Sequence, residues 1–86
     1  MYSELEIKFD QAAENIKKSN LNLDNDTLLS LYSYFKQAKF GDCNEEAPSM
    51  FDFKNKAKHN AWKGNIGMKQ EKAMKHYIKL VSRLLK

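Results

Sequence analysis

The sequence predicts an all-α fold, a small bundle of four helices. Four segments repeat their apolar residues at three- and four-residue steps, the period of an amphipathic helix. Short polar stretches separate them, and one proline and three glycines leave little room for the many tight turns of a sheet. The length of 86 residues suits one domain, here taken as 1–86. A chain of this size buries only about 60% of its unfolded surface, so its core is modest.

The first helix is predicted from about Ser3 to Lys18, where Leu5, Phe9, Ala12, Ala13 and Ile16 make one apolar stripe. Ser3 followed by Glu6 has the spacing of a capping box. Ala13 and Lys17 stand one turn apart at the edge of the stripe, where a small residue leaves room for a flat ring. Ser19 to Asn25 is a polar loop, with Asp24 placed to cap the next helix and Asp26 to favour its dipole.

The second helix is predicted from Asn25 to Phe40 with two faces. Leu28, Leu31, Phe35 and Ala38 make one stripe, expected to face the core. Leu29, Tyr32 and Lys36 make an adjacent stripe that passes from aliphatic to aromatic to cationic. A core stripe does not normally end in lysine, and a solvated stripe does not normally carry Leu and Tyr. Gly41 suits the left-handed position after a helix end.

The third helix is expected to start at Met50 or Phe51 and reach Lys63, with Pro48 turning Ala47 away from helix and Ser49 as its cap. Phe53, Ala57 and Ala61 share one stripe, and Lys54 and Lys58 lie one turn apart on the next. Trp62 follows Lys58 at four residues. Gly64-Asn65-Ile66-Gly67 breaks the pattern, and a fourth helix runs from about Lys69 to the C-terminus. Its apolar face holds Ala73, Met74, Tyr77, Ile78, Val81, Leu84 and Leu85, with Glu71 in the first turn and Arg83 in the last. Connections of roughly seven, nine and five residues fit a bundle, while spacing leaves the crossing order open.

The net charge of +4 is unevenly spread. Residues 1–35 hold three Lys against six Asp or Glu, and residues 36–86 hold twelve Lys or Arg against five. A basic second half suits an anionic partner, whether nucleotide, nucleic acid or membrane surface, and also suits a merely solvated surface. The single cysteine, Cys43, cannot form an internal disulfide and favours a reducing compartment. No apolar run approaches the ~20 residues of a membrane span, so no stable membrane insertion is expected. The N-terminal Met1-Tyr2-Ser3-Glu4 lacks a basic start and apolar middle, so no signal peptide is expected and the cytoplasm is the expected location.

Catalysis has little support in the residues. His59 and His76, the only histidines, have no Asp, Cys or Ser at a spacing that suggests a triad. No glycine-rich phosphate loop occurs, and one Cys with two His is too little for a metal cluster. No catalytic residue, cofactor or metal is therefore expected. The lysine and aromatic set is more informative. Lys36, Lys54 and Lys58, with Lys17, each sit beside an apolar stripe, where a stem can lie on apolar surface and hold its ammonium out. Tyr32 and Tyr77 can donate to a phosphate or stack on a base. Such a set suits a ligand with phosphates at one end and a hydrocarbon at the other.

Four motifs then carry a resemblance. Tyr32-Ser33-Tyr34-Phe35-Lys36-Gln37-Ala38, with Gly41-Asp42, resembles the signature of the acyl-CoA-binding protein family. So do Lys54-Asn55-Lys56-Ala57-Lys58-His59-Asn60-Ala61-Trp62, Ala73-Met74-Lys75-His76-Tyr77-Ile78 and the opening Phe9-Asp10-Gln11-Ala12-Ala13. They occur in order over about residues 5–85.

The resemblance implies an up-down-down-up four-helix bundle that binds and transports long-chain acyl-CoA esters. Carried over, Lys36 and Lys58 bind the phosphate end and Tyr32 joins them at the ribose 3′-phosphate. Tyr77, Ala13 and Lys17 flank the nucleotide, and Leu28 and Leu29 line the acyl groove. Ser33, Tyr34, Phe35 and Lys54 are counted with the ligand set because they lie within the matched motifs. Acyl-CoA-using enzymes are the implied transient partners of a monomeric carrier.

The chain departs from the family pattern at four places. Phe35 stands where many members have tyrosine, and His59 where tryptophan is common. Asn22-Leu23 replaces a common lysine-proline pair, and Lys69 stands where a capping serine is usual. Before the resemblance, a small helical protein-interaction module is the leading rival. A nucleic-acid-binding module is another, although no helix-turn-helix or single-strand aromatic motif is recognisable.

Overall fold

The computed structural model describes residues 3–86 as four helices: α1 (Glu4–Ser19), α2 (Asn25–Phe40), α3 (Phe53–Lys63) and α4 (Gln70–Leu84). Met1 and Tyr2, the start of the stretch from which no signal peptide is expected, lie outside the described residues. Among the described residues there is no strand, and no helix is long and apolar enough to cross a membrane.

Local chemistry sets most of the helix ends. At α1 the capping box forms: Ser3 Oγ accepts the Glu6 N–H at 3.1 Å, and Glu6 Oε1 accepts the Ser3 N–H at 3.3 Å. Asn20 closes the helix at φ 56°, a left-handed conformation that asparagine tolerates better than most residues. Asp24 caps α2 by accepting the Thr27 N–H at 2.8 Å, and the Thr27 side chain together with that N–H holds its carboxyl below the usual carboxylate range. Gly41 ends α2 at φ 77°, ψ −149°. The φ is positive as expected, but this ψ lies outside the left-handed helical region, in a conformation reached essentially by glycine alone.

The start of α3 corrects the sequence expectation. Ser49 does not cap the helix. It closes an isolated turn, accepting the Phe51 N–H on its hydroxyl at 3.2 Å and the Asp52 N–H on its carbonyl at 2.9 Å. The cap is Asp52, which accepts the Asn55 N–H at 3.3 Å and the Asn55 side-chain amide at 2.8 Å. The connection therefore covers residues 41–52 and is longer than predicted, while the first connection, 20–24, is shorter. Lys69 stands at the head of α4 with no side-chain cap bond.

Pairwise packing gives the topology. The start of α1 meets the start of α4, where Leu5 and Glu6 lie beside Gln70 and Met74, and Phe9 packs on Tyr77 further along, so these helices run together. Helix α2 opposes α4: Thr27 lies near Arg83, Tyr34 stacks on His76, and the Gln70 amide donates to the Ala38 carbonyl at 3.0 Å. Helix α3 runs with α2, with Phe53 near Leu28 at one end and Trp62 near Phe40 at the other. The order is up-down-down-up.

The continuous core belongs to three of the helices. Phe9 and Ala12 of α1, Leu31 and Ala38 of α2, and Ala73, Tyr77 and Val81 of α4 form one buried cluster, with Ala13, Ile16 and Phe35 packed on it. Helix α3 is a satellite that packs on α2 alone and buries a single side chain fully, Trp62. The prediction that Leu28 faces the core is overturned, because its side chain is 49% exposed. Position 28 lies in the first turn of α2, where it faces the groove toward α3 beside Phe53.

Buried Gln37 locks the far end of α2. Its amide nitrogen donates to Asp42 Oδ1 at 2.9 Å and to the Met68 carbonyl at 2.7 Å. Asp42 Oδ1 also accepts the Gly67 N–H at 2.8 Å, and the Gln37 and Gly67 donors hold its carboxyl pKa below the usual carboxylate range. The residues after α2 and those before α4 are thereby tied to one point.

Candidate functional site

The candidate site lies between α2 and its satellite α3. Its apolar part is a groove of about 430 Å³ lined by Asn25, Leu28, Leu29, Phe53, Lys54, Ala57 and Lys58. This is within the usual range of small-ligand sites, roughly 300–1,000 Å³. The groove exists because α2 and α3 run in the same direction with small or aliphatic residues facing each other. Ala57 leaves space opposite Leu28 and Leu29, and Phe53 walls one end.

One turn further along α2 the chemistry becomes cationic. The Lys36 ammonium sits 4.5 Å from the Phe40 ring centre, 4.7 Å from that of Trp62 and 5.9 Å from that of Tyr32. The Lys58 ammonium lies 5.3 Å from the same Tyr32 ring. Aromatic faces can hold an ammonium without neutralising it. Among the described residues neither lysine has a carboxylate partner, whereas Lys8, Lys18 and Lys39 pair with Glu4, Glu14 and Asp10. Two unneutralised ammoniums around one phenol repel each other, and an anion between them relieves that repulsion. The Tyr32 hydroxyl is pushed up from its ordinary pKa, first by burial and then by the charges of Glu45 and Cys43. It keeps its proton at neutral pH and remains a hydrogen-bond donor.

The long 41–52 connection is held against this site. The indole N–H of Trp62 donates to the Gly41 carbonyl at 2.9 Å, and His59 Nε2 lies 3.0 Å from the Glu45 carbonyl oxygen, where the Nε2–H tautomer donates. His59, which departs from the family pattern, thus serves as a tether for that segment.

The structure brings Leu28, Leu29, Tyr32, Lys36, Lys54 and Lys58 together along one α2–α3 seam. Phe35 lies next to this seam on α2, stacked on Phe9 with ring centres 5.6 Å apart and tilted against Tyr77 at 5.9 Å. Tyr77 is 5% exposed within the three-helix core, and burial raises the pKa of its hydroxyl. Ala13 is partly buried on that core, and Lys17 is exposed in the last turn of α1.

Ser33 and Tyr34 fall outside the seam. Ser33 is buried and donates to the Ser30 carbonyl at 2.9 Å. Tyr34 stacks on His76 at 5.1 Å in the α2–α4 cleft, about 200° around the helix from Tyr32. The shared motif made these residues neighbours in sequence, and helical geometry separates them. Phe40, Trp62 and Phe53 were missed as site walls. The available signal was spacing, since Phe40 follows Lys36 at four residues and Phe53 precedes Ala57 at four. Among the described residues no group of three or more His, Cys, Asp or Glu side chains is placed to hold a metal ion.

The molecule is thus a helical bundle with an apolar groove that ends at unneutralised cations, an architecture suited to an amphipathic anion. The chain belongs to the acyl-CoA-binding protein family. The family model described as acyl CoA binding protein matches residues 6–81. The chain is 42% identical over 79 residues to acyl-CoA-binding protein homolog 1 of Caenorhabditis elegans, covering 92% of each. Its fold is similar to the crystal structure of Oryza sativa acyl-CoA-binding protein 2, with a TM-score of 0.89, 36% identity, and coverage of 94% of this chain and 90% of that one. It is also similar to the acyl-CoA-binding protein of Moniliophthora perniciosa, with a TM-score of 0.84, 37% identity, and coverage of 93% and 79%. The family is one of binding proteins.

Proposed function

We propose that this chain binds long-chain fatty acyl-CoA esters non-covalently and buffers and carries them to acyl-CoA-using enzymes. It does so as a single monomeric domain in the cytoplasm, without chemical change to the ester. The observation that carries this reading is the pair of unneutralised ammoniums, Lys36 and Lys58, flanking the Tyr32 phenol beyond an apolar groove. Family membership supports the same ligand.

The two ends of the ligand are recognised by different physics. Lys36 and Lys58 meet the phosphate end with charge-assisted bonds, each worth roughly 1.5–3 kcal/mol. Protonated Tyr32 adds a neutral donor toward the ribose 3′-phosphate. The fatty chain displaces water from Leu28, Leu29, Ala57 and Phe53, with Lys54 at the rim. Phe35, Ala13 and the edge of Tyr77 offer flat or small surfaces to the adenine, with Lys17 outside them. The apolar ring at position 35 contributes packing but no hydroxyl contact.

Calorimetric titration of the purified chain with saturated acyl-CoA esters of increasing length tests this. Affinity is expected to rise by up to about fourfold per methylene, or ~0.8 kcal/mol, until the groove is full. Palmitate, which lacks the head, and CoA, which lacks the tail, are expected to bind more weakly than palmitoyl-CoA. Tight binding of a DNA duplex with no binding of palmitoyl-CoA would overturn the reading in favour of a nucleic-acid module.

A further inference from the structure

The acyl-CoA reading gives no role to the other side of α2, where a cleft of about 380 Å³ opens against α4. That volume is within the usual range of small-ligand sites, roughly 300–1,000 Å³. The α2 wall presents Thr27, Ser30 and Tyr34. Their steps of three and four residues put three hydroxyls on one helix face. The α4 wall presents His76, Lys79 and Arg83 at the same steps, with Leu80 among them. Because α2 and α4 run in opposite directions, the two rows lie side by side, with Tyr34 on His76 and Thr27 toward Arg83.

The charge along the cleft indicates what it takes. On α1, Lys8 and Lys18 each meet a glutamate one turn away and are neutralised within their own helix. Lys79 has Lys75 and Arg83 at those positions instead. Among the described residues neither Lys79 nor Arg83 has a carboxylate at ion-pair distance. Asp26 is the one carboxylate that lines the cleft, so Lys79 and Arg83 outweigh it. Two cations one turn apart repel each other, and an anion between them relieves that repulsion. Across from them, Thr27 serves the Asp24 cap, while exposed Ser30 and half-buried Tyr34 carry hydroxyls that can donate. The Tyr34 and His76 rings are stacked 5.1 Å apart at 13°, which makes a flat pair at one end.

We propose that the α2–α4 cleft is a second ligand site, which takes small phosphate monoesters. Arg83 meets two phosphate oxygens at once through its planar fork, and Lys79 adds a compact charge beside it. Ser30 and Tyr34 donate from the facing wall. Leu80 and the Tyr34–His76 pair offer an apolar and flat surface to the organic part of the ester. Asp26 opposes the anion and keeps the contact weak and reversible. The cleft shares no residue with the Lys36 and Lys58 seam, so both sites can be filled together. The inference goes beyond the acyl-CoA reading and does not rest on it.

The full chain, isotope-labelled for amide NMR, is titrated with phenyl phosphate at constant ionic strength. Saturable shifts are expected along both walls of the cleft, around Ser30 and Tyr34 and from His76 to Arg83. They should persist when the chain is saturated with palmitoyl-CoA, which displaces phosphate from Lys36 and Lys58. Phenol, which lacks the charge, should give no saturable shift there. The double substitution Lys79→Ala, Arg83→Ala is expected to weaken phenyl phosphate binding at least about tenfold. Asp26→Asn removes the opposing charge and should strengthen it about two- to threefold. Palmitoyl-CoA affinity should stay at the unsubstituted value in both variants, which also shows that they fold. Absence of saturable cleft shifts in the unsubstituted chain, or binding unchanged by the double substitution, overturns the second site. Failure of palmitoyl-CoA to bind the unsubstituted chain would instead count against the acyl-CoA reading, with the cleft still read from its own amides.

Discussion

Replacing Trp62 with alanine is expected to cost the fold about 3–5 kcal/mol, the usual range for a fully buried aromatic. Trp62 is 1% exposed and is the only side chain that α3 buries fully. Its loss leaves a cavity between α2 and α3 and removes the 2.9 Å bond that satisfies the Gly41 carbonyl. A domain of this size is stable by about 5–15 kcal/mol in all, so the loss is a large share of the total. Urea unfolding should show a strongly lowered midpoint for Trp62→Ala. Trp62→Phe keeps most of the packing and loses the donor, so it should fall between the two. A Trp62→Ala protein within about 0.5 kcal/mol of the unsubstituted one would mean that α3 is not anchored here. Affinity for palmitoyl-CoA should fall as well, because the indole face is one of the surfaces that position the Lys36 ammonium.

Lys36→Ala is expected to weaken palmitoyl-CoA binding about 10- to 150-fold, the equivalent of one charge-assisted contact of roughly 1.5–3 kcal/mol. The fold should survive, since the ammonium lies against Phe40 and Trp62 rings that pack without it. Cation–ring contacts at exposed sites contribute only about 0.5–1 kcal/mol, so the melting temperature should move little. Lys36→Arg keeps the charge and should retain most of the affinity. If Lys36→Ala binds palmitoyl-CoA as tightly as the unsubstituted chain, the phosphate end lies elsewhere.

The number and type of helices, three of their four starts to within a residue, and both Asp24 and Ser3 caps follow from local sequence, because period and capping are local properties. The start of α3 does not, because Ser49 and Asp52 are both good caps and only the isolated turn at Ser49 decides between them. Leu28 shows a related ambiguity. Helical spacing groups it with Leu31 and Ala38, but which edge of the stripe meets the core and which faces the α3 groove depends on how α2 is rotated against its neighbours. Within the site, Leu29, Tyr32 and Lys36 were legible as one stripe because a single helix aligns them. Lys58 beside Tyr32, and the indole bond to Gly41, depend on the register of α3 on α2, which no local pattern encodes. The motif match supplied Lys58 in advance, and the same match drew in Ser33 and Tyr34, which the helix turns elsewhere.

Helix α3 touches the rest of the molecule through α2, two loop tethers and one tryptophan, while α1, α2 and α4 share a continuous core. Free energies of local opening are therefore unequal: detaching α3 exposes one small interface, whereas opening any core helix approaches global unfolding. In the empty protein the amides of α3 should exchange with deuterium well before those of α4. A ligand held by Leu29, Tyr32 and Lys36 on one side and Lys58 on the other acts as a clasp across that weak seam. Its binding should slow exchange in α3 far more than in α4, and equal protection of both helices would show that the seam is not where the ligand sits. Part of the intrinsic binding energy then goes into ordering α3, so the stability of this one short helix adjusts affinity without altering a contact residue.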